Sequence, residues 1–429
     1  MAGSHDPYVA LRRRLDKHPI GLPEFEGVYD ILRGMFTQEQ ARFIAVLPMK
    51  FFTVGEARRR SGLGEADARR MIDGLCAMGV LIDVERDGRR LFVVAPTYGG
   101  FFEFLFMRTR REIDQKNLAG LIDRHVHSVM DEMWAMFGGV GLGRALVYED
   151  TVPAGLYAEV LDVEKASSIV GEATAISVGL CYCRHVAHLA GRPCGAEMDV
   201  CMTFGAVSRS LVKHGVARAV EKAEARDILA RTREAGLVHV ADNVERRPGY
   251  ICFCCGCCCG QLVGVRRGRQ PHPVQTSRFI ASVDAAACKG CGRCVRRCPI
   301  GALSLVSSGT PGKKPPCTAR VEEGFCIGCA VCVAGCRDGA LTMRRRAQRV
   351  IYPKDSLERL LMQAIDTGKL HHFLLDNPTG WEGRAASALA GALLRLDPVK
   401  KTLALEQVRS RVLAEVVKGG LPGFLRKLL

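Results

Sequence analysis

The stretch that decides the fold reads Cys288-Lys-Gly-Cys291-Gly-Arg-Cys294-Val-Arg-Arg-Cys298-Pro299. It recurs 38 residues later as Cys326-Ile-Gly-Cys329-Ala-Val-Cys332-Val-Ala-Gly-Cys336-Arg337. The flanking residues repeat as well, because Val283-Asp284 corresponds to Val321-Glu322 and Gly301-Ala302-Leu303 corresponds to Gly339-Ala340-Leu341. Each copy spaces its cysteines as Cys-x2-Cys-x2-Cys-x3-Cys. The chain therefore contains an internal duplication built around eight cysteines.

This spacing is typical of a pair of [4Fe–4S] clusters. Three cysteines at three-residue intervals in a tight loop can each reach a different iron of one cubane, while the fourth binds the cluster of the other copy. Two ligand sets follow from this rule: Cys288, Cys291, Cys294 and Cys336 form the first, and Cys326, Cys329, Cys332 and Cys298 form the second. Zinc is the alternative, but a zinc site gives no reason for a repeated triplet followed by a fourth cysteine.

Residues 281–345 resemble the bacterial two-cluster ferredoxins in this motif. The resemblance implies a ferredoxin-like domain and one-electron chemistry. The chain departs from the family pattern at Arg337, which follows Cys336 where proline is preferred, and in a long segment between the two repeats. Neither departure removes a ligand.

A second group of cysteines lies between residues 181 and 259. Its ten members are Cys181, Cys183, Cys194, Cys201, Cys252, Cys254, Cys255, Cys257, Cys258 and Cys259. Adjacent side chains diverge on a regular helix or strand, so a loop at Gly256 is needed to bring neighbouring cysteines to one site. Three interpretations stay open: two further [4Fe–4S] clusters with two spare thiols, one or more unusual clusters with bridging or non-cubane ligation, or a structural zinc site among inert buried thiols.

Several motifs around these cysteines resemble a larger family. They are Cys181-Tyr-Cys183-Arg-His185, Cys201-Met-Thr-Phe-Gly205, Gly236-Leu-Val-His239 and Ile251-Cys252-Phe-Cys254-Cys255-Gly-Cys257-Cys258-Cys259. From about residue 25 to the C-terminus the chain is similar to a group of large dicluster [4Fe–4S] proteins of anaerobic bacteria, although Phe253 stands where that family usually has asparagine. The resemblance implies iron–sulfur redox work without naming a substrate.

Residues 25–98 are predicted to form a winged-helix-like domain. An amphipathic run from Thr37 to Leu47, a capping box at Thr53-Val-Gly-Glu56 and a third helix from Glu65 to Met78 precede a hairpin that turns at Asp87-Gly88. The third helix begins with acidic residues, which phosphate would repel in a DNA groove. The positively charged arginines nearby would instead favour binding to DNA phosphate. A protein-docking or structural role is therefore favoured, and DNA binding is not excluded.

The rest of the chain is predicted to complete a multidomain α+β protein. A helical connector spans residues 99–150, the cysteine-rich metal-binding α/β region spans 151–280, and a helical C-terminal cap spans 350–429. Within the cysteine-rich region, Leu156–Leu161 is predicted to be a strand and Val163–Val178 a helix that leads into Cys181.

The composition indicates the compartment in which the protein is expected and the charge of the partners that it would bind. The chain has 429 residues, 20 cysteines and a formal charge of +16. It shows no signal peptide and no run of about 18 apolar residues, so a cytoplasmic protein is expected, in which cysteines bind metal rather than form disulfides. Each bound [4Fe–4S] cluster adds about −2 to the charge. Four clusters would leave a basic protein suited to a redox partner with an acidic docking face.

Three functions remain open at this point. The favoured one is an electron-transfer protein that passes single electrons between a donor and a partner reductase. The others are a reductase with an unusual catalytic cluster and a redox-responsive winged-helix regulator. No acid–base pair, nucleophile or nucleotide-binding motif is recognisable, so no catalytic residue is predicted and the question of enzymatic activity stays open.

Overall fold

The computed structural model describes residues 6–128, 139–157, 164–268, 274–307, 317–348, 350–377 and 381–394. The chain divides into two compact units. The first contains residues 1–140, 210–216 and 356–429, and the second contains residues 141–209 and 217–355. The described residues mix helices and sheets, as expected for an α+β protein. None of the described helices is long and apolar enough to cross a membrane.

The N-terminal region contains five helices followed by a hairpin. They are α1 Pro7–Asp16, α2 Val28–Met35, α3 Gln38–Val46, α4 Val54–Ser61, α5 Glu65–Ala77, β1 Leu81–Arg86 and β2 Arg89–Val94. Thr37 and Thr53 cap α3 and α4 with complete capping boxes, each threonine side chain accepting a backbone N–H three residues on. The third helix and the hairpin also lie where the sequence predicts them. The winged-helix identity of this arrangement stays a prediction.

An aromatic run follows the hairpin. A single π-turn at Thr97–Phe101 leads into α6 Phe102–Phe106, whose phenylalanines are buried, and α7 Gln115–Ser128 comes next. The run is part of the buried apolar residues of the first unit.

A mixed sheet of seven strands is the framework of the second unit. Its strands are β3 Gly143–Ala145, β4 Ile176–Leu180, β5 Asp199–Phe204, β6 Arg218–Ala219, β7 Val238–Asp242, β8 Tyr250–Cys254 and β9 Val274–Gln275. They lie in the order β6-β4-β5-β8-β7-β3-β9, and every neighbouring pair is antiparallel except β3 and β9. The helices between them are α8 Ala154–Tyr157, α9 Ala166–Glu172, α10 Tyr182–Leu189, α11 Gly205–Lys213, α12 Lys222–Glu234 and α13 Gly260–Gly268.

Two sequence predictions in this region are wrong. Leu156 and Tyr157 lie in α8 rather than in a strand, and residues 158–161 of that predicted strand lie outside the described residues. Of the predicted helix Val163–Val178, the described residues from 164 onward are helical only at α9, and strand β4 leads the chain into Cys181. Ile176 and Val178 alternate with small residues and are buried in the sheet, so the local period of two overrides the helical pattern before it.

The duplicated segment folds as two interlocked copies. Its elements are β10 Phe279–Val283, α14 Arg293–Arg297, β11 Leu303–Ser307, β12 Cys317–Val321, α15 Val331–Ala334 and β13 Leu341–Arg345. The first strand of one copy pairs with the last strand of the other: β10 lies antiparallel to β13, and β11 lies antiparallel to β12. Each copy therefore depends on its partner for its sheet.

Three C-terminal helices belong to the first unit: α16 Ser356–Asp366, α17 Leu370–Leu375 and α18 Trp381–Leu394. Residues 395–429 of the predicted helical cap lie outside the described residues. A capping role over the cluster-binding region stays a prediction.

Candidate metal centres

The first predicted ligand set lines one pocket of the duplicated segment, here called the outer pocket. Cys288, Cys291 and Cys294 come from the loop before α14 and the start of that helix, and Cys336 comes from the end of the other copy. Apolar side chains such as Leu305 and the charged residues Lys289, Arg293 and Asp338 complete the walls. The backbone N–H of Ala319 donates to Cys288 Sγ over 3.4 Å. Cys291 is exposed, so this pocket reaches the protein surface.

The second predicted set lines a separate pocket, here called the inner pocket. It contains Cys326, Cys329 and Cys332 from the second copy and Cys298 from the first. The first three are buried, and burial raises the pKa of the Cys329 thiol well above its usual range. The Ala302 backbone N–H donates to Cys298 Sγ over 3.2 Å. Amide donors of this kind are the usual partners of cluster-ligating sulfur.

The loops around both pockets share an unusual backbone. Gly292 and Ala330, which occupy the same position in the two copies, both adopt the left-handed conformation, with φ of 68° and 66°. At Gly328 a Cβ atom would lie 2.1 Å from the carbonyl oxygen of Phe279. Only glycine allows this close approach of the inner loop to β10.

Strand pairing brings the other cysteines together. Met202 of β5 pairs with Ile251 of β8, which sets Cys201 opposite Cys252. Cys252 and Cys254 lie on the same face of β8 because side chains alternate along a strand. Cys181 ends the connection from β4, and Cys183 lies in the first turn of α10.

Four of these ten cysteines form one compact group, here called the four-cysteine group. The sulfur atoms of Cys194, Cys255, Cys257 and Cys258 all lie within 4.8 Å of one another. The thiol of Cys258 donates to Cys255 and lowers its pKa to about 4, which favours the thiolate that metals bind. The Ala196 N–H donates to Cys194 Sγ over 3.4 Å, and Cys257 is exposed.

The remaining six cysteines form a continuous line of thiol hydrogen bonds, here called the six-cysteine group. In order of contact they are Cys181, Cys183, Cys259, Cys254, Cys252 and Cys201. The line turns back on itself, since Cys201 is close enough to Cys181 and Cys183 for their charges to interact. Hydrogen bonds from Cys183 and Cys254 lower the pKa of Cys259 to about 5. None of the six is exposed.

The dense loop also touches the duplicated segment. A Cβ atom on Gly256 would lie 2.5 Å from the carbonyl oxygen of Pro299, the residue after Cys298. Cys254 and Cys259 share one apolar core with Cys326, Cys329 and Cys332. The inner pocket and the six-cysteine group are therefore neighbours within the second unit.

One buried cation beside the cysteines escaped the sequence reasoning. Arg184, between Cys183 and His185, is only 1% exposed and donates through Nη1 to the carbonyl oxygen of Phe253 over 2.8 Å. Burial alone would lower the pKa of Arg184, but the negative charges of Cys181 and Cys255, together with a side-chain hydrogen bond to Cys255, outweigh that effect and raise it. An arginine inside a cysteine motif is the signal that could have found it, because a buried cation needs anionic neighbours.

A further trio of possible metal ligands lies in the first unit. Cys76, Asp83 and His214 place one ligand atom each within 4.8 Å of the others. Asp83 is already paired with Arg90 over 2.8 Å and Lys213 over 2.7 Å, and it accepts from Ser210 Oγ. Burial would raise the pKa of Asp83, but these hydrogen bonds outweigh it and hold the pKa well below its usual range. This trio fits a buried ion-pair network rather than a metal site.

Comparison with known proteins identifies one segment. The family model described as a 4Fe-4S binding domain matches residues 281–304, which carry the first cysteine run. No curated protein and no solved structure matches the chain. The match, together with the cysteine groups, supports an iron–sulfur protein that binds [4Fe–4S] clusters.

Proposed function

We propose that this protein transfers single electrons between a donor and a partner reductase through two ferredoxin-type [4Fe–4S] clusters and further clusters at Cys181–Cys259. The observation that carries the proposal is the grouping of cysteines in the duplicated segment, three from one copy and the fourth from the other in each pocket. A bound cluster supplies the ability to accept and release one electron.

The residues around the pockets fit such clusters. Each pocket offers four thiols, mostly apolar walls and a backbone N–H directed at a ligand sulfur. Apolar walls exclude water and N–H donors stabilise negative charge on sulfur, and both effects tune the reduction potential.

The arrangement of the sites suits a relay. The outer pocket reaches the surface at Cys291, the buried inner pocket neighbours the six-cysteine group, and the four-cysteine group reaches the surface again at Cys257. We infer that electrons enter and leave at these two exposed ends. The direction of flow depends on the partners.

Charge at the outer pocket favours an acidic docking face on the partner. Arg296 and Arg337 are exposed and belong to, or directly follow, the cysteine loops around this pocket, while the exposed Lys289 is paired with Asp338 over 2.7 Å. Arg337 is the residue that replaces the usual proline, so this departure from the ferredoxin pattern adds a cation at the proposed docking site. Complementary charges of this kind raise association rates and make them sensitive to salt.

The proposal is tested by iron and sulfide analysis and EPR spectroscopy of the anaerobically prepared full chain. We expect Cys288→Ser combined with Cys326→Ser to lose about eight irons and the corresponding EPR signals. Cys317→Ser is the matched control, because Cys317 lies in the same segment outside both pockets. Retention of the parent's iron and signals by the double variant would contradict the proposal.

A reductase is the second candidate, favoured by the exposure of Cys257 within the four-cysteine group. A metal site open to the surface could meet a small substrate directly. Under this alternative, the protein reduced by a chemical donor would be reoxidised by the substrate without a partner protein. DNA binding gains no such support, since Arg69 and Arg70 pair with Glu65 and Asp67, and Arg60 binds Asp376.

A further inference from the structure

The four-cysteine group is compact enough to surround a single atom. Its sulfur atoms all lie within 4.8 Å of one another. Cys194 Sγ lies 3.9 Å from Cys255 Sγ, and Cys257 Sγ lies 3.7 Å from Cys258 Sγ. Because these two pairs share no member, they are opposite edges of the tetrahedron that the four sulfurs form.

Both edges have the length that one metal ion requires. Metal–sulfur bonds of about 2.3 Å in a tetrahedral site place neighbouring sulfurs about 3.8 Å apart. The distances of 3.7 Å and 3.9 Å fall on either side of this value. The sulfurs of a disulfide would be only about 2.05 Å apart. The four thiols are therefore not bonded in pairs but gathered around one point.

A cubane needs a wider arrangement of ligands. Its four terminal thiolates bind four different irons, so their sulfurs lie farther apart than the ligands of one ion. Among the described residues, no three of the cysteines that line the outer and inner pockets lie within 4.8 Å of one another. The four-cysteine group is thus a different kind of site from the two pockets of the duplicated segment.

Two separate segments supply the ligands of this site. The loop after β8 contributes three thiols within four residues, from Cys255, Cys257 and Cys258. The fourth thiol, from Cys194, belongs to residues 190–198, a described connection without helix or strand. An ion bound by all four would fasten this connection to the loop after β8.

The surroundings of the group suit a negatively charged site. Four thiolates around a divalent ion have a net charge of about −2. The backbone N–H of Ala196 donates to Cys194 Sγ over 3.4 Å. The side chain of Arg184, only 1% exposed, is hydrogen-bonded to Cys255. Such partners orient the ligands and stabilise the charge on sulfur, so Arg184 is a positioning residue of this site.

We propose that the four-cysteine group binds one tetrahedral metal ion, zinc or iron, rather than an iron–sulfur cluster. Four sulfur ligands in a tetrahedron are typical of these two metals. An iron ion exchanges one electron, and beside the exposed Cys257 it forms the surface end of the proposed relay. A zinc ion has no redox chemistry, so it only fastens the connection and electrons leave elsewhere. The assignment specifies one part of the proposed function, and its electron-carrying form rests on that function.

Metal and inorganic sulfide analysis of the anaerobically prepared full chain tests the assignment. Cys257→Ala/Cys258→Ala removes two ligands, neither of them buried. We expect it to lose about one zinc or iron ion and no inorganic sulfide, because a single ion is bound by cysteine sulfur alone. A loss of about four irons with sulfide, or no loss of metal, would overturn the assignment.

The outer pocket provides the matched comparison. Cys288→Ala/Cys291→Ala also removes two ligands that are not buried, and it should lose about four irons and about four sulfides. Unchanged iron in this variant would contradict the proposed function and leave the single ion untouched. The two failures are therefore distinguishable.

A second pair of substitutions tests whether Cys194 belongs to the same site. Cys194→Ala/Cys257→Ala removes one ligand from each segment and should lose the same single ion. This variant also decides the question if Cys257→Ala/Cys258→Ala fails to fold. Loss of any other amount of metal would overturn the assignment.

The element that is lost distinguishes zinc from iron. A single iron should give the EPR signal of an isolated high-spin ferric ion in the oxidised parent, and the variants should lack it. Zinc gives no such signal, and elemental analysis measures its loss directly. Either element supports the single ion, whereas only iron supports an electron carrier at Cys257.

Arg184→Gln tests the positioning role. We expect the ion to be released at a chelator concentration about 10–100-fold lower than in the parent. Arg184→Lys should restore part of the difference, since it keeps the charge but not the planar fork. Arg226→Gln, at an exposed position of α12, is the control. Unchanged release in Arg184→Gln would overturn the positioning role.

Discussion

The two copies of the ferredoxin-like segment have the same cysteine spacing and matching backbone turns, but their pockets lie in different surroundings. The outer pocket exposes Cys291 beside basic side chains, whereas all three cysteines that the second copy contributes to the inner pocket are buried next to the dense cysteine loop. Spacing within a motif therefore specifies which atoms could bind iron. Residues outside the motif decide which pocket meets solvent, and with it the role that each would have in a relay.

The largest expected effect separates the pockets by removing one ligand from each. Cys291→Ser and Cys329→Ser should each lose about four irons. Cys329→Ser should also destabilise the protein by about 1–3 kcal/mol more than Cys291→Ser does. The serine hydroxyl at the buried position 329 would be left without the metal that would satisfy it. Anaerobic iron analysis and thermal unfolding measure both effects.

The order of the two variants is the decisive result. Cys317→Ser should match the parent in iron content, since this thiol lies outside both pockets. If Cys291→Ser unfolded as readily as Cys329→Ser, the burial difference between the pockets would have no energetic consequence and the comparison would fail.

The ferredoxin-like ligand sets could be predicted because their geometry is local. Three cysteines of each set lie within seven residues, and the fourth follows from the duplication. The helix starts at Thr37 and Thr53 were predictable for the same reason, since a capping box involves four consecutive residues.

The division of the other ten cysteines could not be predicted from the sequence. It depends on Cys201 lying opposite Cys252, a contact that only the pairing of β5 with β8 creates. The same dependence on strand pairing explains why the helix predicted before Cys181 was wrong. That segment forms a short helix and then strand β4, which is stabilised by its neighbours in the sheet. Arg184 was missed because its burial beside both cysteine groups depends on tertiary packing, which the sequence does not show.

An intermediate effect tests the close approach of the inner loop to β10. Gly328→Ala should destabilise the protein by about 2–4 kcal/mol, because the new Cβ combines left-handed backbone strain with a clash against the carbonyl oxygen of Phe279. Gly301→Ala is the matched control: it has nearly the same φ, 73° against 74°, and open space around its Cβ position. We expect it to cost only about 1 kcal/mol. Equal costs, measured by anaerobic denaturant unfolding, would show that the contact with β10 is unimportant.

The smallest expected effect makes the two loops more alike. Ala330 holds a left-handed φ of 66° where the first copy has Gly292. Ala330→Gly should relieve about 1 kcal/mol of backbone strain in the folded protein. The greater conformational freedom of glycine in the unfolded chain should offset part of this stabilisation. A net gain of about 0.5 kcal/mol in the free energy of unfolding is expected. Ala334→Gly, in the helical conformation of α15, should instead destabilise by a similar amount. If Ala330→Gly destabilised the protein as much as Ala334→Gly, the left-handed conformation at position 330 would not strain alanine. The conformation that the two loops share would then have no energetic cost in the second copy.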